Sequence, residues 1–192
     1  MTEKSTDIND LLQITYKGIQ GHMLKKHRSV PLYRLDDHVF WPSRELMEKE
    51  ALSVKDDIVQ YDVTDNATIK THEMSDRTPY LRQMWEGWTS MYGDFGDCTV
   101  TYFYVDPELD YDWHIDTYIS TDMTAKQPIL CAMNIVGTDE NVPAEFHGYG
   151  EMAYTAALFN TSHLHRVDPQ GKQRILARIT FRDHIYEEVL AR

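Results

Sequence analysis

The chain has 192 residues, 42% hydrophobic and 26% charged, the proportions of an ordinary soluble globular protein with room for one sizeable core, so residues 1–192 are expected to form a single domain. A formal net charge of −12 argues against nucleic acid as a partner, because phosphate backbones are gripped by Lys and Arg that displace counterions. No apolar run approaches the length that crosses a bilayer, and the polar, acidic start MTEKSTDIND lacks the basic and apolar regions of a secretory signal, which points to a cytoplasmic protein.

Residues 1–96 read as a mixed, mostly helical support region. Ile8 to roughly Lys26 carries Leu11, Leu12, Ile14 and Ile19 at helical spacing. A second helix follows Ser43 as N-cap, and IVQYDV from Ile58 has the β-branched and aromatic content of a short strand. A better-marked helix starts at Thr78 as N-cap with Pro79 in the first turn; it carries Leu81, Met84, Trp85, Trp88 and Tyr92 along one side, as core rather than as a ligand platform.

From residue 97 to 183 the character changes. Short runs rich in Val, Ile, Thr, Tyr and Phe follow one another at 98–105, 113–120, 128–136, 144–149, 152–160, 163–167 and 173–182, separated by Asp, Pro and Gly. Strands so closely spaced, with no helix between them, predict a mainly β fold: a double-stranded β-helix, or jelly roll, buttressed by the preceding helices. Cys98 and Cys131 fall in apolar strands and are expected to be free thiols.

The chemistry concentrates in this second half. In a strand, residues two apart point the same way, so His114 and Asp116 in DWHID project from one face and can share one metal ion. Candidates for a third ligand are His147, His163 and His165. Two imidazoles, one carboxylate and open positions suit non-haem Fe(II), although zinc accepts the same ligands. Arg174 opens the strand that follows His165 across a turn marked by Pro169 and Gly171. A buried guanidinium there needs an anion, best a carboxylate held at two points. Arg178 shares that face and is expected nearer the rim, where it matters less.

The stretch ALFNTSHLHRVDPQGKQRILARITF resembles the C-terminal half of the Fe(II)/2-oxoglutarate-dependent oxygenases, and YFYVDPELDYDWHID resembles their approach to the His-x-Asp pair. The resemblance covers roughly residues 98–183 and is nearest to the prolyl-hydroxylase-like branch. It implies Fe(II) held by His114, Asp116 and His165, with Arg174 pairing the distal carboxylate of 2-oxoglutarate and Tyr102 or Tyr104 adding a hydroxyl to the same carboxylate. Three protein ligands then leave two positions for 2-oxoglutarate and one for O2. The implied reaction is hydroxylation of an aliphatic C–H, with release of succinate and CO2; the retained Asp116 argues against halogenation.

The substrate is open between a small polar metabolite, an amino acid and a peptidyl residue. Trp113 and Tyr118 beside the ligands, with Tyr111 and the region of Trp41, are candidates for lining it. The alternative is a cupin-like metal-binding jelly roll without oxygenase activity, which needs an exposed Arg174 and a fourth protein ligand to close the site.

Overall fold

The computed structural model describes residues 31–35, 41–57, 59–64, 67–105, 107, 113–119, 126–129, 131–137, 143–168, 171–182 and 184–191; for 59–64, 67–70, 117–119 and 126–128 it describes the backbone alone. The helix expected over Ile8 to Lys26 lies outside these residues.

The fold is organised by two long strands rich in Val, Ile, Thr, Tyr and Phe, β4 (Cys98–Val105) and β12 (Arg174–Phe181), which pair antiparallel along their whole length from Arg174↔Val105 to Phe181↔Cys98. On the other side of β12 lies β7 (Cys131–Val136), followed by β10 (Ala156–Phe159) and β1 (Leu32–Arg34). Beyond β4 come β3 (Ala67–Glu73) and β2 (Val59–Thr64), completing a seven-stranded antiparallel sheet in the order β1-β10-β7-β12-β4-β3-β2. Strand β1 and strand β3 carry too little alternation to be read from sequence, and tertiary pairing at the sheet's flanks decides both.

Strand alternation gives this sheet two faces with different duties. Ile175, Ala177, Ile179 and Phe181 of β12, with Tyr102 and Tyr104 of β4, are buried together with Met47, Ala51 and Val54 of helix α1 (Arg44–Val54) and Leu81, Met84 and Trp88 of helix α2 (Pro79–Tyr92). Trp88 stands at the centre, 5.5 Å from the Phe181 ring and 6.2 Å from Trp41, and is core as the helical spacing predicts, whereas Trp85 is half-buried at the edge of the cluster. Helix α3 (Tyr186–Leu190) adds Tyr186 and Val189 to the same layer.

The predicted starts of α1 and α2 hold, but neither Ser43 nor Thr78 caps with its side chain. The Thr78 hydroxyl is instead used locally, accepting from Ser75 N and donating to Ser75 O. Glu50 of α1 takes over the capping of α2, accepting from Tyr80 N at 2.8 Å and Leu81 N at 3.0 Å, and from the Tyr102 hydroxyl at 2.6 Å. A buried carboxylate is tolerable there because it meets the positive end of the helix and a third donor.

The opposite face of the large sheet meets a small one, β11 (His165–Arg166), β8 (Ala144–Phe146) and β9 (Gly150–Met152). Between them lies a second apolar cluster containing Val136, Phe146, Tyr154, Ala157, Phe159 and Leu176. The ribbon β5 (Thr117–Ile119) and β6 (Lys126–Pro128) continues the segment that carries His114. This is the jelly roll with helical buttress that the strand spacing predicts. Three predicted runs are broken: 113–120 holds only β5 and an isolated bridge at His114, 128–136 is shared between β6 and β7, and 152–160 contains only β10 and the end of β9. Gly171, at φ +76° between β11 and β12, makes the expected turn; Pro169 is outside the described residues.

Candidate metal centre

Two backbone hydrogen bonds, His114 N to His165 O and His165 N to His114 O, both 2.9 Å, form an isolated antiparallel bridge. Directly opposed residues in such a pair place their side chains on the same side, and the two imidazoles stand 4.6 Å apart between centroids. Asp116, two residues on, returns to the same face, with its carbonyl accepting from Ile129 N at 2.9 Å. Its Oδ1 lies 3.7 Å from His114 Nε2 and 3.6 Å from His165 Nε2. Two ligands of one ion at about 2.1 Å can be no more than about 4.2 Å apart, so both distances suit a shared ion. Among the described residues this is the one group of three His, Cys, Asp or Glu side chains with that geometry.

The hydrogen bonding distinguishes His165 from its rivals. His165 Nδ1 faces the carbonyl of His163 at 2.8 Å, so with the proton on Nδ1 the Nε2 lone pair is turned to the centre. His163 is buried against Phe146 and Tyr149, and His147 is exposed beside Trp113; neither joins the cluster.

Burial opposes ionisation of Asp116, but Arg178, His165 and His114 outweigh it and hold the carboxyl well below the usual carboxylate range. Burial, reinforced by His114, lowers His165 to about 4, against the opposing pull of Asp116. The centre is thus one carboxylate and a neutral His165 at ordinary pH, the protonation that metal ligation requires. Side-chain exposure runs from 7% at His165 and 13% at Asp116 to 35% at His114, so the donor set opens to solvent on the His114 side.

Arg174 is buried, 2% exposed. Its Nη2 donates to the Tyr154 hydroxyl, its Cζ lies 5.3 Å from the Tyr154 ring centroid, and its Nε is buried with no hydrogen-bond partner among the described residues. Burial pushes the Tyr154 phenol up, against the opposing pull of Arg174 and Arg178, so it remains a hydroxyl able to donate. A guanidinium buried beside Tyr154 with one nitrogen unmatched among the described residues fits an anionic ligand.

Three expectations need correction. Tyr102 and Tyr104 are opposite Ala177 and Ile175, on the helix-facing side of β12, whereas Arg174 and Leu176 face the interior; their hydroxyls go to Glu50 and to Ala51 O, each at 2.6 Å, and cannot serve the Arg174 end. Arg178 is not a rim residue. It is 9% exposed, its Cζ lies 5.6 Å from the Phe103 ring, its Nε donates to Thr180 Oγ1 at 3.2 Å, and its Nη2 donates to Asp116 Oδ2. Strand β12 is covered on both faces, so sharing a face with Arg174 already meant sharing the interior. Trp113 faces outward: the chain alternates between it and His114, and its ring is flanked by Arg166 at 4.7 Å and His147 at 5.6 Å. Tyr118 is described by backbone alone, and Tyr111 lies outside the described residues. Tyr154 was hidden in a run that reads as one continuous strand.

The chain matches no protein-family profile and no curated protein. Solved structures do resemble it. A prolyl-4-hydroxylase from Pseudomonas putida superposes with a TM-score of 0.57 at 11% identity, covering 85% of this chain and 98% of that one. A viral collagen prolyl hydroxylase from Paramecium bursaria Chlorella virus-1, in complex with 2-oxoglutarate, gives 0.50 at 11% identity over 80% and 97%. At such identity the likeness establishes the fold alone: a jelly roll of the kind found in those two structures. No described helix is long and apolar enough to cross a membrane.

Proposed function

We propose that this chain is an Fe(II)/2-oxoglutarate-dependent dioxygenase that hydroxylates an aliphatic C–H of a small polar metabolite, amino acid or peptidyl residue. The observation that carries the reading is the buried, incompletely partnered Arg174 on the face of β12 whose Arg178 meets Asp116 of the His114, Asp116 and His165 cluster. A metal site alone fits many chemistries, and a sealed arginine alone fits any anion. Together, on this fold, they fit a metal-chelating dicarboxylate.

In this reading His114, Asp116 and His165 hold the iron. Arg174 neutralises the distal carboxylate of 2-oxoglutarate, with the Tyr154 hydroxyl donating to the same group in place of the expected Tyr102 or Tyr104. The apolar cluster around Leu176, Phe146 and Phe159 excludes water from that end and strengthens the ion pair. Asp116, anionic and held by Arg178, fixes which side of the carboxylate faces the metal. When bound, iron with 2-oxoglutarate and O2 supplies an oxidant that takes hydrogen from C–H, with succinate and CO2 as the accompanying products. The open His114 side is the approach for substrate. The buried Arg174 favours this reading over a metal-binding jelly roll without oxygenase chemistry, which needs that arginine exposed.

The test is an anaerobic titration of the protein with Fe(II) and then 2-oxoglutarate, followed by the weak visible charge-transfer band of the chelate. The band is expected to saturate at one equivalent of each. A 2-oxoglutarate affinity that does not depend on the metal sinks the reading.

A further inference from the structure

We propose that Arg178 is a positioning residue of the metal centre: by holding Oδ2 of Asp116, it confines this carboxylate to ligation through Oδ1 alone and so keeps a third coordination position open. The inference rests on the metal centre proposed above, and concerns how that centre is kept incomplete.

A carboxylate ligand has two oxygens, and nothing in a His-x-Asp motif prevents both from reaching one ion. If both bind, protein donors occupy four positions of an octahedron and two remain. Chelation by a 2-oxo acid consumes both, leaving none for a further ligand. Here the two oxygens of Asp116 are already distinguished. Oδ1 stands 3.7 Å and 3.6 Å from the imidazole nitrogens, at the focus of the cluster. Oδ2 accepts from Arg178 Nη2.

Arg178 is well placed to keep hold of that oxygen when an ion is bound. Its backbone is fixed in the middle of the large sheet, opposite Thr101 on one side and Asn134 on the other. Its guanidinium is anchored by Nε to Thr180 Oγ1 at 3.2 Å and lies by the Phe103 ring, with 10% of the side chain exposed. A neutral amide at this position carries no charge to hold an anion beside a divalent ion, whereas a Lys ammonium keeps that charge as a single point. The guanidinium also draws charge from Asp116 and repels a divalent ion, so it costs metal affinity while it secures geometry. That trade gives the proposal a signature of its own: loss of a merely structural partner loosens metal binding, whereas loss of Arg178 tightens it.

The experiment uses Mn(II) as the probe, without substrate or turnover. Affinity is read from the free Mn(II) signal in electron paramagnetic resonance, and the number of bound waters from water-proton relaxation. Wild type is expected to hold one Mn(II) with three waters, and Arg178→Gln to bind it roughly tenfold more tightly, the worth of one charge-assisted hydrogen bond no longer competing. The variant's bound-water relaxation should fall by about one third, as Asp116 takes a second position of the octahedron. Arg178→Lys, which retains a cation, should keep three waters. A wild-type count of two waters overturns the proposal even if no variant folds, and so does Arg178→Gln with three waters, or Arg178→Lys indistinguishable from Gln. Failure of wild type to bind Mn(II), or binding that survives His165→Ala, refutes the metal centre itself and is a different result.

Discussion

Arg174 donates from Nη2 to the phenol of Tyr154, a member of the second apolar cluster, and its buried Nε has no hydrogen-bond partner among the described residues. A cation this well buried and this poorly matched is costly unless an anion completes it. Arg174→Ala is therefore expected to leave metal binding nearly intact and weaken 2-oxoglutarate by about 2–4 kcal/mol, roughly 30-fold to 1,000-fold. Tyr154→Phe removes one donor and should cost about 1 kcal/mol, or roughly fivefold. Tyr102→Phe should leave 2-oxoglutarate affinity unchanged. Anaerobic titration of the Fe(II) complex of each variant checks all three, and equal affinity in wild type and Arg174→Ala would remove the cosubstrate assignment.

Ligand identity is tested by metal reconstitution. Chelator treatment should abolish 2-oxoglutarate-dependent succinate formation, and Fe(II) with a reductant should restore it. Zn(II) should occupy the same three ligands and block turnover, because it has no redox chemistry. His165→Ala should lose the metal, while His163→Ala and His147→Ala should retain it, since neither side chain joins the cluster. Restoration of activity by zinc would move the protein to a hydrolytic or lyase class.

Burial and His114 together lower His165 from 6.5 to about 4 in the folded chain. As pH falls from about 6.5 the unfolded chain takes up a proton at this residue while the folded chain does not, so stability declines until the folded His165 titrates near 4. The metal-free protein should lose on the order of 3 kcal/mol across that window, at about 1.4 kcal/mol per pKa unit. Asp116, whose folded carboxyl lies well below its ordinary range, contributes stability that is lost only at still lower pH. Urea unfolding in the presence of chelator, compared between wild type and His165→Gln, measures the effect; the variant should show a flatter profile between pH 6.5 and 4. Identical profiles would contradict the burial of a neutral His165.

Glu50 ties α1 to the start of α2 and to β4, and its removal should be felt in stability alone. Glu50→Ala leaves Tyr80 N, Leu81 N and the Tyr102 hydroxyl without their acceptor, and should destabilise by about 2–4 kcal/mol. Metal affinity at 25 °C should be unchanged. A loss of metal binding in a folded Glu50→Ala protein would mean that the helical layer is coupled to the centre, contrary to the separation of the two apolar clusters.

Local sequence was enough for whatever depends on one strand or one helix. His114 and Asp116 share a face because side chains alternate in any extended segment. The start of α2 follows from Pro79, and β4 and β12 follow from runs of β-branched and aromatic residues that no competing pattern interrupts. What one strand shows its neighbour is another matter. Whether Tyr102 and Tyr104 meet the metal side or the helix side depends on register: a shift of one residue between β4 and β12 reverses the answer, and only the pairing of Tyr102 with Ala177 decides it. Arg178 could be read as exposed because an arginine in a strand usually is; the small sheet covering that face, and Asp116 arriving from a segment 62 residues away in sequence, make it an interior residue. Tyr154 reaches Arg174 across 20 residues. Residue types and alternation thus determine which groups can bind a metal and an anion, whereas long-range pairing determines which of them stand together, because the energy of a buried charge depends on partners that no local pattern specifies.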